Sequence, residues 1–505
     1  MLGTTLACVL LATLLGCGTV TPRAAPDLTA DSGCTRLADA LDAAAAQAGT
    51  LDAGTVRVPG ARWLRADRFA ASFAGESLSP DAVRTWLERL RDADARARAI
   101  EIANTPDSAL TAVFAGGDPT VVTLQRERLA AAIERCSLLE ARSIAASPVV
   151  LEAMHATLRV PDDYVDAARA IGLYPITARF FAAGVRREEA SMTDAYRRHG
   201  ADIGKDTVAY APAVAAEPSA RADAPARDAL GVPRLDAARA ATLLAAFAPV
   251  YAVAGRGPDD RIGALGLDPS DRPVVDVDRP VVYGRVAFTR WAGAVKIQLV
   301  YTAWFARRAP AGPFDPLAGH LDGVVVRITL DDNGAPAMVD TIHACGCWHQ
   351  FVPVGDWRVR PAPVQGDEWA FVPTRLREIA PGRRLRVRLE ARTHAVEGMD
   401  TVAADASADV RYALDDDHVL RTLPRPAGGT RSVYDPRGRV PGTERPERWL
   451  FWPMGIADAG SMRQWGRHAT AFVGRRHFDD ADLFERRFER AATGRAGGQP
   501  EGRAD

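Results

Sequence analysis

Seven residues in the C-terminal half, His343-Ala344-Cys345-Gly346-Cys347-Trp348-His349, hold four of the groups best suited to bind a metal or carry redox chemistry. Thiolate and imidazole are the usual ligands of zinc, and soft sulfur also favours Cu(I). The four fall at every second position, and a β-strand sends alternate side chains to one face, so an extended chain presents all of them on one side. A strand rises ~3.3 Å per residue, which puts His343 and His349 roughly 20 Å apart, too far for one metal with bonds of about 2.0 to 2.3 Å. A single site built from Cys345, Cys347, His349 and His343 therefore needs a bend, and Gly346 is the residue able to supply it. Three readings stand side by side. The stretch is a metal site for zinc or copper, a Cys-x-Cys disulfide near the upper separation a bridge allows and so strained and reducible, or a core strand carrying two small apolar cysteines.

A second cluster lies near the C terminus, where Trp465, Arg467, His468, Arg475, Arg476, His477, Phe478, Asp479 and Asp480 crowd together. His477 beside two aspartates has the composition of an oriented base, and the arginines can hold an anionic group. The same residues also suit a segment docked on a sheet, with Trp and Phe packing and Arg–Asp pairs at the surface. The chain has no Gly-x-Ser-x-Gly elbow, no His-Glu-x-x-His and no phosphate loop ending in Gly-Lys-Ser/Thr, so the familiar hydrolase and nucleotide signatures are missing.

The elements that must position these residues change character along the chain. From residue 28 to about 205 the pattern is helical and alanine-rich. Thr35 to Ala48 carry an apolar stripe ahead of Gly49, and Ser79-Pro80-Asp81 reads as a helix cap followed by Pro in the first turn. Further helices are expected over Val121 to Ala145 and Pro161 to Ile171. His155 and His199 stand alone there and read as structural or solvated. A helix over Asp236 to Ala248 then precedes alternating runs at 295–301, 324–330 and 385–391. Asp332-Asn333-Gly334 predicts a tight hairpin that pairs Val324–Leu330 with Ala337–Ala344 and delivers the chain into the Cys-x-Cys stretch. The fold class predicted is α+β, a helical N-terminal domain followed by a mainly antiparallel β C-terminal domain, either sheet or sandwich.

The first twenty residues are apolar but too short to span a bilayer as a permanent helix, which suits a secretory signal. Within them Leu14-Leu15-Gly16-Cys17 resembles the lipobox of bacterial lipoproteins. That resemblance implies cleavage before Cys17, lipid attachment at Cys17 with palmitate among the acyl chains, and, with Gly18 in the place of a retention-signal Asp, delivery to the outer membrane facing the periplasm. It also bears on the cysteines. Of six, Cys8 would leave with the signal and Cys17 would carry lipid, leaving four in an oxidising compartment. Sequence proximity then favours Cys34 with Cys136 and Cys345 with Cys347.

The organisation expected is a signal peptide over 1–16, a tether over 17–30, a helical domain over 31–210, a linker over 211–235, a β-rich domain with flanking helices over 236–490, and a disordered tail over 491–505. With 47% apolar and 25% charged residues the 505-residue chain suits a folded protein, and a net charge of -1 gives no sign of a nucleic-acid surface. Arg supplies nearly all the positive charge, the only lysines being Lys205 and Lys296. Two function classes remain: a non-enzymatic envelope lipoprotein that binds a protein partner or has a structural role, and a metal-binding or redox protein, with or without catalysis, that uses the His-x-Cys-x-Cys-x-His stretch.

Overall fold

A computed structural model describes residues 32–113, 122–199, 206–213, 225–364 and 366–491. The expected signal peptide, the tether with Cys17, part of the expected linker and nearly all of the expected tail lie outside the described residues.

Helices of ten residues or more are numbered in chain order. They are α1 (Ser32–Ala48), α2 (Pro80–Asn104), α3 (Val122–Ala145), α4 (Pro148–Thr157), α5 (Tyr174–His199) and α6 (Ala237–Phe247). α2 starts where the sequence signals it, with the Ser79 hydroxyl accepting from Ala82 N–H at 3.2 Å. Its apolar face, Val83, Trp86, Leu87 and Leu90, packs with Leu64, Ile144 and Met154. A disulfide between Cys34 and Cys136 ties α1 to α3, as sequence proximity favoured. Further along the same face α2 buries charge: Arg65 meets both Glu101 oxygens at 2.8 Å, and Arg98 meets Asp94 at 2.7 Å. Bidentate geometry satisfies the Arg65 guanidinium where water cannot, and Arg98 adds Asp42 and the Arg62 carbonyl to Asp94.

Ten strands form one large sheet: β1 (Thr207–Pro212), β2 (Val250–Ala254), β3 (Val281–Trp291), β4 (Ala294–Arg308), β5 (Gly319–Leu330), β6 (Pro336–His343), β7 (Gln350–Pro353), β8 (Arg383–Leu389), β9 (Val396–Ala403) and β10 (Val410–Asp416). Their order is β7-β6-β5-β4-β3-β10-β1-β2-β8-β9. Most neighbours are antiparallel, with β10 pairing parallel to β3 and β1, and β2 parallel to β8. The predicted hairpin is present, with Gly334 at φ +76° in its turn and Val324 opposite His343. The sheet curls, and residues from across it, such as Tyr301, Ile328, Val352, Val387 and Tyr412, meet in a single core. Its edge strands approach closely enough for Gln350 Nε2 on β7 to donate to Val396 O on β9 at 3.0 Å. α5 lies along this seam, where the Tyr196 hydroxyl donates to Gln350 Oε1 at 2.7 Å.

The two halves interlock. Asn104 at the end of α2 donates to Arg421 O, Arg68 pairs with Asp479, and the Tyr164 hydroxyl donates to Ala471 O. Within the stretch expected to be a linker, Ala211 and Pro212 belong to β1, and Val232 is fully buried against the helical core. The strand β1 also begins inside the span expected to be helical. Its six residues are too few for a period of two to stand out from an alanine-rich background.

Candidate functional site

The Cys-x-Cys stretch is not a strand. β6 ends at His343, and Gly346 (φ +95°) and Trp348 (φ +62°) then turn the chain, closed by Gly346 N–H to His343 O at 2.7 Å and His343 N–H to Cys347 O at 3.0 Å. Glycine is required at 346 on two counts. The left-handed backbone disfavours a side chain, and a Cβ there would lie 2.5 Å from Ala469 O. The expected alignment of four side chains on one face is therefore corrected: the turn sends them in three directions.

His349 goes to a buried ion pair. Its Nε2 donates to Asp340 Oδ2 at 2.9 Å, while Arg327 holds the same carboxylate through two nitrogens and stacks on Phe478. Burial keeps the His349 imidazole neutral, its pKa pushed down to about 3. His343 goes to a different carboxylate, Nδ1 lying 3.5 Å from Asp322 Oδ1. Asp322 is the centre of a second buried network. His394 Nδ1 donates to it at 2.8 Å, Arg445 reaches it at 3.3 Å, and the far side of His394 lies 3.6 Å from Asp260. Burial opposes ionisation of Asp322, but His343, Arg445 and His394 outweigh it and hold the carboxyl well below its usual range. Among the described residues no group of three or more His, Cys, Asp and Glu is arranged to hold a metal ion, since these donors diverge.

Cys345 and Cys347 face a cavity of ≈ 50 Å³ whose walls include Trp348, His349, Thr470 and Phe472, with Glu189 and Met192 of α5 on one side. That volume takes a water or one small side-chain group and no larger metabolite. The two cysteines are unbridged, Cys345 buried and Cys347 half-buried. The local disulfide favoured by cysteine spacing is thus replaced by two thiols in hydrogen-bond contact. In such a pair the proton shared between the sulfurs eases the first ionisation, and the charge it leaves holds the second proton on. Three carboxyls stand near. Burial raises Glu189 to about 7 and Glu447 to about 7, and burial also raises Glu368, which accepts from Phe472 and Val473 N–H. The Glu447 carboxyl sits where a side chain on Gly460 would be, and its field acts on both thiols. The arrangement suits thiol chemistry, with acids titrating near neutrality beside two sulfurs in a small, water-poor chamber.

The C-terminal cluster is structural. Arg476 is buried and spends its guanidinium on the carbonyls of Thr470, Glu368 and Trp369, while Arg475 pairs with Asp162 and Asp166. His477 lies 3.4 Å from Asp162 and 3.7 Å from Asp480, and burial first, then Arg68 and other arginines, hold it neutral. His468 is buried near Phe478, its pKa pushed down to about 3 by burial. Asp322, Asp340, His394, Arg445, Glu189, Glu368 and Glu447 escaped sequence reasoning because none forms a recognisable spacing with the thiols, and all but Asp340 and Asp322 lie far from them along the chain. One signal was available for Asp322 and Asp340: an acidic residue inside a largely apolar strand.

Comparison with protein-family models, with curated proteins and with solved structures finds no match to this chain.

Proposed function

We propose that this is a lipid-anchored protein of the cell envelope in which Cys345 and Cys347 form a reversible dithiol–disulfide couple. One observation carries the reading: the two thiols are unbridged, in contact and open to one small chamber, while Cys34 and Cys136 are joined. The lipid anchor rests on the lipobox resemblance at Cys17. An envelope partner presenting a disulfide on an extended segment would be reduced in two steps. Cys345, the sulfur that ionises first, gives its proton to a neighbouring carboxylate and then draws the proton of the less buried Cys347. The Cys347 thiolate attacks one partner sulfur, and the other leaves as a thiol with the proton held by the carboxylate. Cys345 then attacks Cys347 sulfur, closes the Cys345–Cys347 bond and releases the second thiol. Two electrons and two protons pass to the partner, and a thiol-rich partner runs the cycle in reverse. Glu447 and Glu189, with pKa values about 7, suit proton exchange with the pair.

The test is alkylation of the mature protein equilibrated in graded thiol–disulfide buffers, read by mass. Cys345 and Cys347 are expected to become protected together at one midpoint, and Cys345→Ser is expected to trap a mixed disulfide on Cys347. Thiols that stay free under oxidising buffer exclude the couple. That outcome favours a binding or structural lipoprotein, a reading supported by the buried pairing of Asp340 with Arg327 and His349 and of Asp322 with His394 and Arg445. Zinc or copper in the purified protein, lost on Cys345→Ser, would instead establish a metal site. Mass analysis of the N-terminal peptide for acyl chains on Cys17 tests the anchor.

A further inference from the structure

The segment leading into α5 and the segment Arg448–Met454 together build an outer face that the core does not use. Ile171 is 75% exposed, Phe180 73% and Trp449 69%, and Leu173, Ile176, Leu450 and Trp452 are exposed beside them. The segments form one surface. A Cβ on Gly172 would fall 2.6 Å from Pro453 Cβ, Arg169 Nε donates to Met454 O at 2.8 Å, and the Phe181 and Phe451 rings are 5.7 Å apart. An apolar surface of this kind on a folded protein marks a partner.

The charges on this face identify the partner. Between Asp166 and Glu188 the chain has no acidic residue, and the exposed charges there are Arg179, Arg186 and Arg187. On the other segment Arg448 lies over the Trp449 ring at 4.7 Å. Tryptophan with Leu, Ile and Phe, edged mainly by Arg179, Arg186, Arg187 and Arg448 with Asp367 beside the first two and Asp166 at one border, is the composition of a surface seated at the headgroup level of a bilayer. A second copy is the weaker occupant, because a two-fold interface would bring these arginines against their own equivalents. Among the described residues no helix is long and apolar enough to cross a membrane, so contact would be at the interface.

We propose that this face docks on an anionic lipid bilayer. The proposal draws on the lipid-anchor reading for the choice of membrane: about 15 residues separate Cys17 from Ser32, and an extended chain of that length reaches ~50 Å. Anchor and face can then share one bilayer, with the thiol chamber, walled by Glu189 and Met192 of the same helix, held near its surface.

The full-length protein, purified in mild detergent, is returned to phosphatidylglycerol–phosphatidylethanolamine vesicles with plain or brominated acyl chains, and tryptophan emission is read. Brominated chains are expected to quench emission, and the quenching is expected to fall at least twofold in the double variant Trp449→Leu, Trp452→Leu, which keeps the face apolar. Phe180→Glu with Ile176→Glu, both at exposed sites and checked for an unchanged far-ultraviolet spectrum, is expected to reduce quenching of the native tryptophans to a similar degree. Equal emission in both kinds of vesicle, or quenching unchanged in the double variant, overturns the proposal. So does a concentration-dependent dimer that Phe180→Glu dissociates, which would assign the face to a second copy. The mass of the Cys17 peptide from the same samples separates the two readings: quenching without acyl chains supports docking and removes the anchor, whereas acyl chains without quenching remove docking alone.

Discussion

Asp322 shows how much depends on one side chain that the sequence does not advertise. It is fully buried and serves His343, His394 and Arg445 at once. Removing the charge leaves a guanidinium and an imidazole inside the protein without their counter-ion. Breaking a buried pair by deleting one partner costs about 3 to 5 kcal/mol. Asp322→Asn is expected to lose stability of that order in urea unfolding. Asp81→Asn, which breaks an exposed pair with Arg84, is expected to change it by less than about 1 kcal/mol. Equal effects would mean that the Asp322 network contributes no more than a surface bridge. The sequence made the thiols and histidines visible because unusual residues crowd into seven positions. It hid their partners because a carboxylate that comes from another strand leaves no local spacing to read. For the arginines of the C-terminal cluster, adjacency in sequence left two readings open, a shared anion or a segment docked on the sheet. In the structure Arg475 and Arg476 find their own carboxylates and carbonyls, as the second expects.

At the scale of elements, legibility follows local chemistry. The hairpin at Asp332-Asn333-Gly334 and the cap at Ser79-Pro80 are decided by residues within one turn, and both appear where the sequence puts them. The curl of the sheet and the parallel insertion of β10 between β3 and β1 depend on distant contacts, such as Ala413 with Val281 and Val410 with Tyr210, and no window of sequence carries them. The turn at 346 lies between these cases. Glycine there signalled a bend, but the neighbour that makes glycine obligatory, Ala469 O, comes from the C-terminal segment. Gly346→Ala must adopt a left-handed backbone, at a cost of about 1 to 2 kcal/mol, and also push Ala469 away. A loss of about 2 kcal/mol or more is expected in denaturant unfolding, with faster alkylation of Cys347 as the chamber opens. A variant with the parent's stability and thiol reactivity would show that the turn relaxes freely.

The whole molecule stores titratable groups of two opposed kinds, and their balance predicts its response to acid. Burial holds His349 and His468 at about 3 and His418 at about 2, below the ordinary histidine value near 6.5. As pH falls below about 6.5 the unfolded chain takes up protons that these folded imidazoles refuse, so stability falls. Glu189 and Glu447 at about 7 and Asp479 at about 6 act the other way, because burial makes the folded state take the proton first. Their charged forms weaken the fold above pH 7, and that penalty fades as pH drops towards about 4.3, the ordinary carboxyl value. Between about 6.5 and 4.3 the two sets oppose each other and stability should change little. Below that the carboxyl gain is complete, the histidine loss continues, and Asp322 and Asp340, both held low by their partners, begin to lose their charge-based stabilisation. A flat urea midpoint to about pH 4.5 followed by a steep fall is the expected profile. Glu189→Gln isolates one member of the balance. It should stabilise the protein at pH 8, where the parent carries a half-buried carboxylate facing Glu368, and the difference should vanish by about pH 4. An offset between variant and parent that is the same at every pH would mean that Glu189 acts through packing and not through its charge.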